Sequence, residues 1–190
     1  MRFGALEILT NEGVYEPRED SFLLAEVLEG MKNLGDVLDV GTGSGIQALV
    51  ASKNAKNVLG VDINPEAVKL ARKNAKNNGI KNIAFRESNL FENVNEKFDL
   101  IVFNPPYIPV DDKIKGAEQW SAGENLELIK RFVKNVKNHL KENGKILFLI
   151  SSVTGLKEIE EFFKKQGFSI EVIKKKKIPW EMLYVLEIKT

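Results

Sequence analysis

The chain has 190 residues and a formal net charge of +1, with acidic and basic residues nearly balanced, so no overall field draws it to nucleic acid or membrane. It has no cysteine, which excludes disulfides, thiolate nucleophiles and the usual zinc-finger spacings. No apolar run approaches the ~20 residues of a membrane span and the N-terminus lacks a signal-peptide core, so one cytoplasmic domain over residues 1–190 is expected.

Phe3 to Ile8 alternate weakly, and a turn is expected at Asn11-Glu-Gly13. Val14-Tyr-Glu-Pro17 should be extended, because a residue before proline avoids the helical region. Asp20 or Ser21 can cap a helix that runs through Phe22, Leu23, Val27 and Leu28 to Gly30. A first strand spans Asp36 to Val40, followed by a glycine turn and a helix carrying Ile46, Leu49 and Val50. The second strand, Asn57 to Val61, ends at Asp62. The next helix has Asn64 as N-cap, Pro65 in its first turn and Gly79 after its end, with Val68, Ala71 and Ala75 on its apolar face.

Asn82 to Glu87 read as the third strand, with a turn at Ser88-Asn-Leu90, and Phe98 to Phe103 as the fourth. Residues 107–123 look irregular and long enough to be a functional loop. Leu126, Ile129, Val133, Val136 and Leu140 then mark a long amphipathic helix stopped by Gly144, with the single histidine, His139, at a solvated position on it. Lys145 to Ile150 form a fifth strand. Leu156, Ile159, Phe162 and Phe163 give a helix ended by Gly167. Phe168 to Ile173 and Met182 to Ile188 follow one another without a helix and should pair antiparallel. The predicted fold is α/β and Rossmann-like: a mainly parallel central sheet, helices on both faces and a C-terminal antiparallel hairpin.

Two strand ends carry the chemistry. After Val40, Gly41, Gly43 and Gly45 alternate, which suits a turn where a ligand lies against bare backbone. The last glycine of the dinucleotide fingerprint is missing, so the pattern is weak by itself. Asp62 at the next strand tip suits the two ribose hydroxyls of a nucleoside, and Ile63 follows it. The alternative for Asp62 is helix capping, although Asn64 already fills that role. Asp39 puts negative charge where a phosphate would otherwise approach. A cofactor with an ammonium and a sulfonium but no phosphate tolerates that charge, and S-adenosyl-L-methionine fits this description. Asn89 can accept from an adenine amine and Leu90 can pack on the ring, while Tyr15 and Ser21 can close the site from the N-terminal side.

The second end is Asn104-Pro-Pro-Tyr107. Pro105 and Pro106 remove two N–H donors and leave carbonyl acceptors. The Asn104 side-chain oxygen and the Pro105 carbonyl can accept both hydrogens of an –NH₂ on a planar conjugated group, and Tyr107 can stack on that group. Accepting both hydrogens lets a non-basic nitrogen pyramidalise and aim its lone pair at a methyl group. Asn104, Pro105 and Tyr107 are the catalytic candidates, with Pro106 as a further substrate contact. Catalysis would rest on proximity and aligned dipoles, with no metal.

Val14-Tyr-Glu-Pro-Arg-Glu-Asp-Ser-Phe-Leu-Leu24, Asp39-Val-Gly-Thr-Gly-Ser-Gly45, Asp62-Ile-Asn-Pro65, Asn104-Pro-Pro-Tyr107 and Trp120-Ser-Ala-Gly-Glu-Asn125 together resemble the HemK/PrmC-type class I methyltransferases. More narrowly, the chain is similar to their short eukaryotic–archaeal branch, which lacks a separate N-terminal helical domain. The resemblance implies methylation of the glutamine amide in the Gly-Gly-Gln motif of a peptide-chain release factor. It also implies cofactor contacts at Ser21, Asp39, Gly41, Asp62, Asn89 and Leu90, with Asn104 holding the substrate amide, and a small zinc-finger activator protein as partner. The family usually has aspartate where this chain has Asn89, a change expected to cost affinity rather than function. In this reading residues 1–30 close the cofactor site and residues 107–123 form the acceptor-site loop.

Two other functions compete: methylation of the exocyclic amine of adenine in DNA or RNA, and a non-catalytic cofactor-binding assembly module. The first normally needs a basic surface and added recognition elements, which this chain lacks. Lys174 to Lys177 read as a solvated hairpin end, or as a contact for an RNA-like or acidic surface. Trp120 is a hinge anchor or a core aromatic, and Asp111-Asp112 are solvated.

Overall fold

Apolar side chains alternate along the central strands, and that period of two divides the core into two layers. A computed structural model describes residues 1–106, 122–154 and 156–190. Its main sheet contains β3 (Gly35–Val40), β4 (Ala55–Asp62), β5 (Ile83–Glu87), β6 (Phe98–Phe103), β7 (Leu140–Ser151), β8 (Ser169–Ile178) and β9 (Glu181–Lys189), in the order β5-β4-β3-β6-β7-β9-β8. The first five strands are parallel, and β9 runs antiparallel between β7 and β8. Val37, Leu100, Val102, Leu147 and Leu149 face α1 (Glu19–Gly30), α2 (Ile46–Ala51) and α3 (Pro65–Asn77). Leu38, Val40, Ile101, Phe103, Ile146 and Phe148 face α4 (Ala122–Val136) and α5 (Leu156–Lys165). The expected mainly parallel sheet with helices on both faces and a C-terminal antiparallel hairpin is present. Among the described residues no helix is long and apolar enough to cross a membrane.

Several boundaries move, each for a physical reason. The weak N-terminal alternation is a small hairpin of β1 (Arg2–Phe3) and β2 (Leu6–Glu7). α1 begins at Glu19 with Arg18 in the cap position, so neither Asp20 nor Ser21 caps it; both are buried and turned into the molecule. The predicted long helix stops at Val136, and after a 3-10 turn at Lys137–His139 the chain opens β7 at Leu140. Leu140 pairs with Phe98, and the register then shifts so that Leu100 meets Lys145. The residues between bulge out, with Asn143 at φ 61° and Gly144 pressed against the carbonyls of Lys141 and Phe98. Gly144 is therefore a bulge residue rather than a helix stop. His139 is not a freely solvated helix position: its ring stacks on Phe91 with centroids 4.4 Å apart. β8 continues through Lys174–Lys177 to Ile178, five residues beyond the predicted end, as an edge strand of the sheet.

Both ends of the central strands are pinned. At the amino edge the Asp36 N–H donates to Asp99 Oδ2 (2.7 Å), and Lys141 Nζ bridges both carboxylates at 2.6 and 2.7 Å. The hydrogen bond from Lys141 holds Asp36 below the usual carboxylate range. Towards the carboxyl edge, Phe103 packs on Phe132 and Phe148, with centroids 4.6 and 5.7 Å apart. Phe132 also touches Phe91 and is fully buried. Phe132→Ala is expected to destabilise the fold by about 3–5 kcal/mol, measured by urea unfolding, because it removes a fully buried ring and leaves a cavity among Phe91, Phe103 and Phe148.

Candidate functional site

Four adjacent strands end on one rim, and their register decides what meets there. Val40 of β3 lies opposite Phe103 of β6 and opposite Val61 of β4, while Asp62 of β4 lies opposite Glu87 of β5. The glycine turn and Asn104 thus leave neighbouring strands, one spacing of about 4.8 Å apart. Asp62 and then the Ser88–Leu90 turn continue the row on the other side. Since β3 is flanked by β4 on one side and β6 on the other, this is the crevice position of open α/β sheets.

A cavity of about 750 Å³ occupies the crevice. Tyr15, Ser21, Asp39, Gly41, Gly43, Asp62, Ile63, Asn89, Leu90, Asn104, Pro105 and Pro106 all line it. Tyr107, the remaining candidate, lies outside the described residues, as do Asp111, Asp112 and Trp120. Gly41 and Gly43 have φ of 66° and 54°, which glycine alone takes without strain. Gly45, at φ 88°, also serves packing, since a Cβ there would stand 3.1 Å from that of Ala71 on α3.

The acidic residues hold the turn as well as lining the cavity. Asp39 Oδ2 accepts from Thr42 Oγ1 (2.6 Å) and from the Ala48 N–H (3.1 Å), tying β3 to the start of α2. Burial pushes the Asp39 carboxyl up to about 7; these two bonds oppose the rise, and the charge of Asp62 adds to it. Asp62 accepts from Gly43 N–H and Asn64 N–H, both at 2.9 Å, and burial raises it too. Asn64 supplies the α3 cap by accepting from Glu66 N–H, as its sequence position implies. With the Ile63 N–H as a third backbone donor, the Asp62 carboxylate keeps acceptor capacity for a hydroxyl donor. Asn89 donates to Glu92 Oε1 (2.9 Å), which turns its own oxygen away as an acceptor, and Arg131 reaches the same Glu92 oxygen at 3.4 Å.

Asn104 is oriented by a residue that sequence reasoning assigned elsewhere. Its Nδ2 donates to Asp20 Oδ2 (2.8 Å), while Asp20 Oδ1 accepts from Tyr15 Oη (3.0 Å) and Ser21 Oγ (3.4 Å). A carboxylate only accepts, so the Asn104 oxygen must point the other way. That Oδ1 is buried and has no hydrogen-bond partner among the described residues. Ser44 Oγ and Gln47 Oε1 are orphaned in the same manner, and both also line the cavity. Asp20, Gln47 and the α4 residues Glu127, Leu128 and Arg131 are among the lining residues missed from sequence. Asp20 had a signal, an acid beside Ser21 in the Tyr-Glu-Pro stretch, but helix capping explained it equally well. For the α4 residues nothing in the linear pattern pointed to the crevice.

Sheet order, crevice and glycine turn define the class I methyltransferase fold. The family described as the methyltransferase small domain matches residues 5–178, and the chain belongs to that family. A Methanocaldococcus jannaschii protein assigned as a protein N5-glutamine methyltransferase is 46% identical over 91% of this chain and 90% of its own length. A release factor glutamine methyltransferase of Fusobacterium nucleatum is 34% identical over 88% of the chain, which spans only 52% of that longer protein. Among solved structures, the E. cuniculi Mtq2–Trm112 complex, responsible for methylation of the eRF1 translation termination factor, matches with a TM-score of 0.73. It is 26% identical and covers 94% of this chain and 99% of that one. A ribosomal protein L11 methylase from Lactobacillus delbrueckii subsp. bulgaricus matches with a TM-score of 0.69 and 29% identity, over 93% of this chain and 82% of the other.

S-adenosyl-L-methionine is the cofactor of this class, and the cavity fits it. Orphaned Gln47 Oε1 and the buried carboxyl of Asp39 suit an ammonium, Asp62 suits hydroxyl donors, and Ile63, although apolar, is 64% exposed at the cavity wall where a flat ring can lie. Folding raises the Asp39 carboxyl, so the stability this group contributes to the cofactor-free protein is lost as pH rises from about 4 to about 7. Asp39→Asn keeps an oxygen for Thr42 and Ala48 but carries no charge. Thermal melts of the cofactor-free variant are expected to match wild type near pH 4 and to exceed it at pH 8, by at most about 4 kcal/mol of stability. Calorimetry should show weakened cofactor binding in the same variant.

Proposed function

We propose that this protein transfers a methyl group from S-adenosyl-L-methionine to the side-chain amide nitrogen of a protein glutamine, in the Gly-Gly-Gln motif of a peptide-chain release factor. The observation that carries the reading is the orphaned Asn104 oxygen, buried at the cavity wall and aimed by Asp20. Names of the relatives support the same substrate.

An amide nitrogen delocalises its lone pair and is not basic, so deprotonation beforehand is no route to a nucleophile. The Asn104 oxygen and the Pro105 carbonyl accept its two hydrogens, favouring a pyramidal nitrogen with an available lone pair. Pro105 and Pro106 carry no N–H, so this stretch of wall offers no competing donor. The Asp20 carboxylate polarises the Asn104 amide through Nδ2, which makes the oxygen a stronger acceptor as positive charge grows on the nitrogen. The cofactor, when bound, would supply an electrophilic methyl on a sulfonium; as the nitrogen gains the methyl it gives up one of its two hydrogens as a proton. Gly41, Gly43, Asp39 and Gln47 hold its amino-acid end, Asp62 its ribose, and Ile63, Asn89 and Leu90 its adenine, with Tyr15 and Ser21 closing the N-terminal side. Residues 1–30 act as that wall, and Tyr107 and residues 107–123 complete the acceptor side. The reading extends to a cytoplasmic enzyme working with a small zinc-finger activator; the Mtq2–Trm112 complex supports a partner protein.

Mass spectrometry of a release factor incubated with enzyme and labelled cofactor tests the activity; label in an adenine oligonucleotide and none in the protein would end the reading. Asn104→Ala should keep cofactor affinity and lose turnover by several kcal/mol of transition-state stabilisation, on the order of a hundredfold or more. Asp20→Asn should lower kcat at least about tenfold with cofactor affinity unchanged, and should add nothing in the Asn104→Ala background.

A further inference from the structure

The β8–β9 hairpin ends in a feature that neither the core nor the cofactor cavity explains. Its two-residue turn is Pro179-Trp180, closed by the Ile178–Glu181 pair. Pro179 cannot take positive φ, so Trp180 takes it at 70°, a conformation costing an L-residue roughly 1–2 kcal/mol. Glycine is the usual occupant of such a position. Here the chain holds its largest side chain there, 100% exposed.

The turn is braced. Ser151 at the end of β7 donates to the Glu181 carboxylate, and the Met182 N–H donates to Ser152 Oγ at 3.0 Å. It also lies on the carboxyl rim of the sheet. Phe148 of β7 is level with Phe103, and β7 runs on to Ser151, which lies opposite Leu183. The tip therefore stands about 10 Å or more above the strand end that bears Asn104, two to three strand spacings to one side. Val153, 55% exposed, comes two residues after β7, next in sequence to the Ser152 that holds Met182. Leading up to the tip, Lys174 pairs with Glu26, whereas Lys175, Lys176 and Lys177 make no ion pair among the described residues, and Lys175 and Lys177 are exposed.

We propose that this tip is the docking point for the folded body of the protein substrate: Trp180 and Val153 are its apolar anchor, and Lys175 and Lys177 select an acidic surface beside the target loop. The proposal rests on the protein-glutamine reading. Tryptophan is enriched among the residues that dominate interface energy, and a charged rim sets partner choice. A nucleic acid is the poorer fit. It draws on a broad array of phosphate contacts, and here Lys174 is already neutralised while an aliphatic Val153 shares the patch.

Kinetics on two substrates test it: the intact release factor and a short Gly-Gly-Gln peptide. Trp180→Gly, which fits the positive φ, and the Lys175→Ser/Lys177→Ser pair should each raise KM for the intact protein about tenfold. Both should leave kcat, and all constants for the peptide, within about twofold of wild type. The lysine pair should also flatten the salt dependence of KM. Unchanged constants for the intact protein overturn the proposal, and so does an equal loss on both substrates. A loss confined to binding of an RNA oligonucleotide overturns it in favour of a nucleic-acid contact. Wild-type enzyme that modifies neither substrate removes the glutamine reading and this proposal together, a result distinct from the others.

Discussion

The parallel pairing that sets Val40 opposite Phe103 is the constraint on which the rest of the molecule depends. It brings a glycine turn and an asparagine more than sixty residues apart in sequence to within one strand spacing. A slip of one residue would send Asn104 to the other face of the sheet. The register is accordingly held from both ends. Lys141 clamps the carboxylates of Asp36 and Asp99 at the amino edge, and an aromatic stack grips Phe103 just below the crevice. Elsewhere the chain tolerates irregularity, as the bulge after Leu140 shows, but the last four pairs of β3 and β6 run without a break.

Above that frame, the crevice concentrates polarity that a protein interior normally avoids. Three buried side-chain atoms without partners, on Ser44, Gln47 and Asn104, line one cavity together with two carboxyls whose burial works against their charge. Each orphan forgoes a hydrogen bond worth roughly 1 kcal/mol or more. Such a cost is retained where a ligand supplies the missing partners. Asp20 carries the arrangement further: by taking the Asn104 N–H₂ it settles which end of the amide faces the cavity, so a neutral side chain presents only acceptor character.

The outer rim follows a different logic. On β8, a strand with an open edge, consecutive lysines discourage pairing with another chain, a role needing no ligand. That accounts for a charged edge but not for a fully exposed tryptophan at positive φ in a turn braced to the end of β7. In the proposed reading, site and rim divide the work of recognition, the crevice reading two N–H hydrogens and the tip reading a surface.

What the chain order determined by itself is local. The Asn64-Pro65 start of α3, the glycine turn after Val40, the apolar alternation of the parallel strands and the acceptor-only Asn-Pro-Pro stretch are all set by residues next to one another. Sequence reading therefore reached the strand-end residues of the cavity wall, such as Asp39, Asp62 and Asn104, and not the wall contributed by α2 and α4. Tertiary structure decided what depends on distant partners. Leu140 continued a helical period, yet pairing with Phe98 made it the start of a strand. Lys174–Lys177 read as the end of a hairpin, yet pairing with β9 kept them in it. Asp20 and Ser21 suited a helix cap equally well. Only the approach of Asn104, 84 residues away, gave the inward-turned Asp20 a partner, because the amide N–H₂ of Asn104 takes its carboxylate as acceptor.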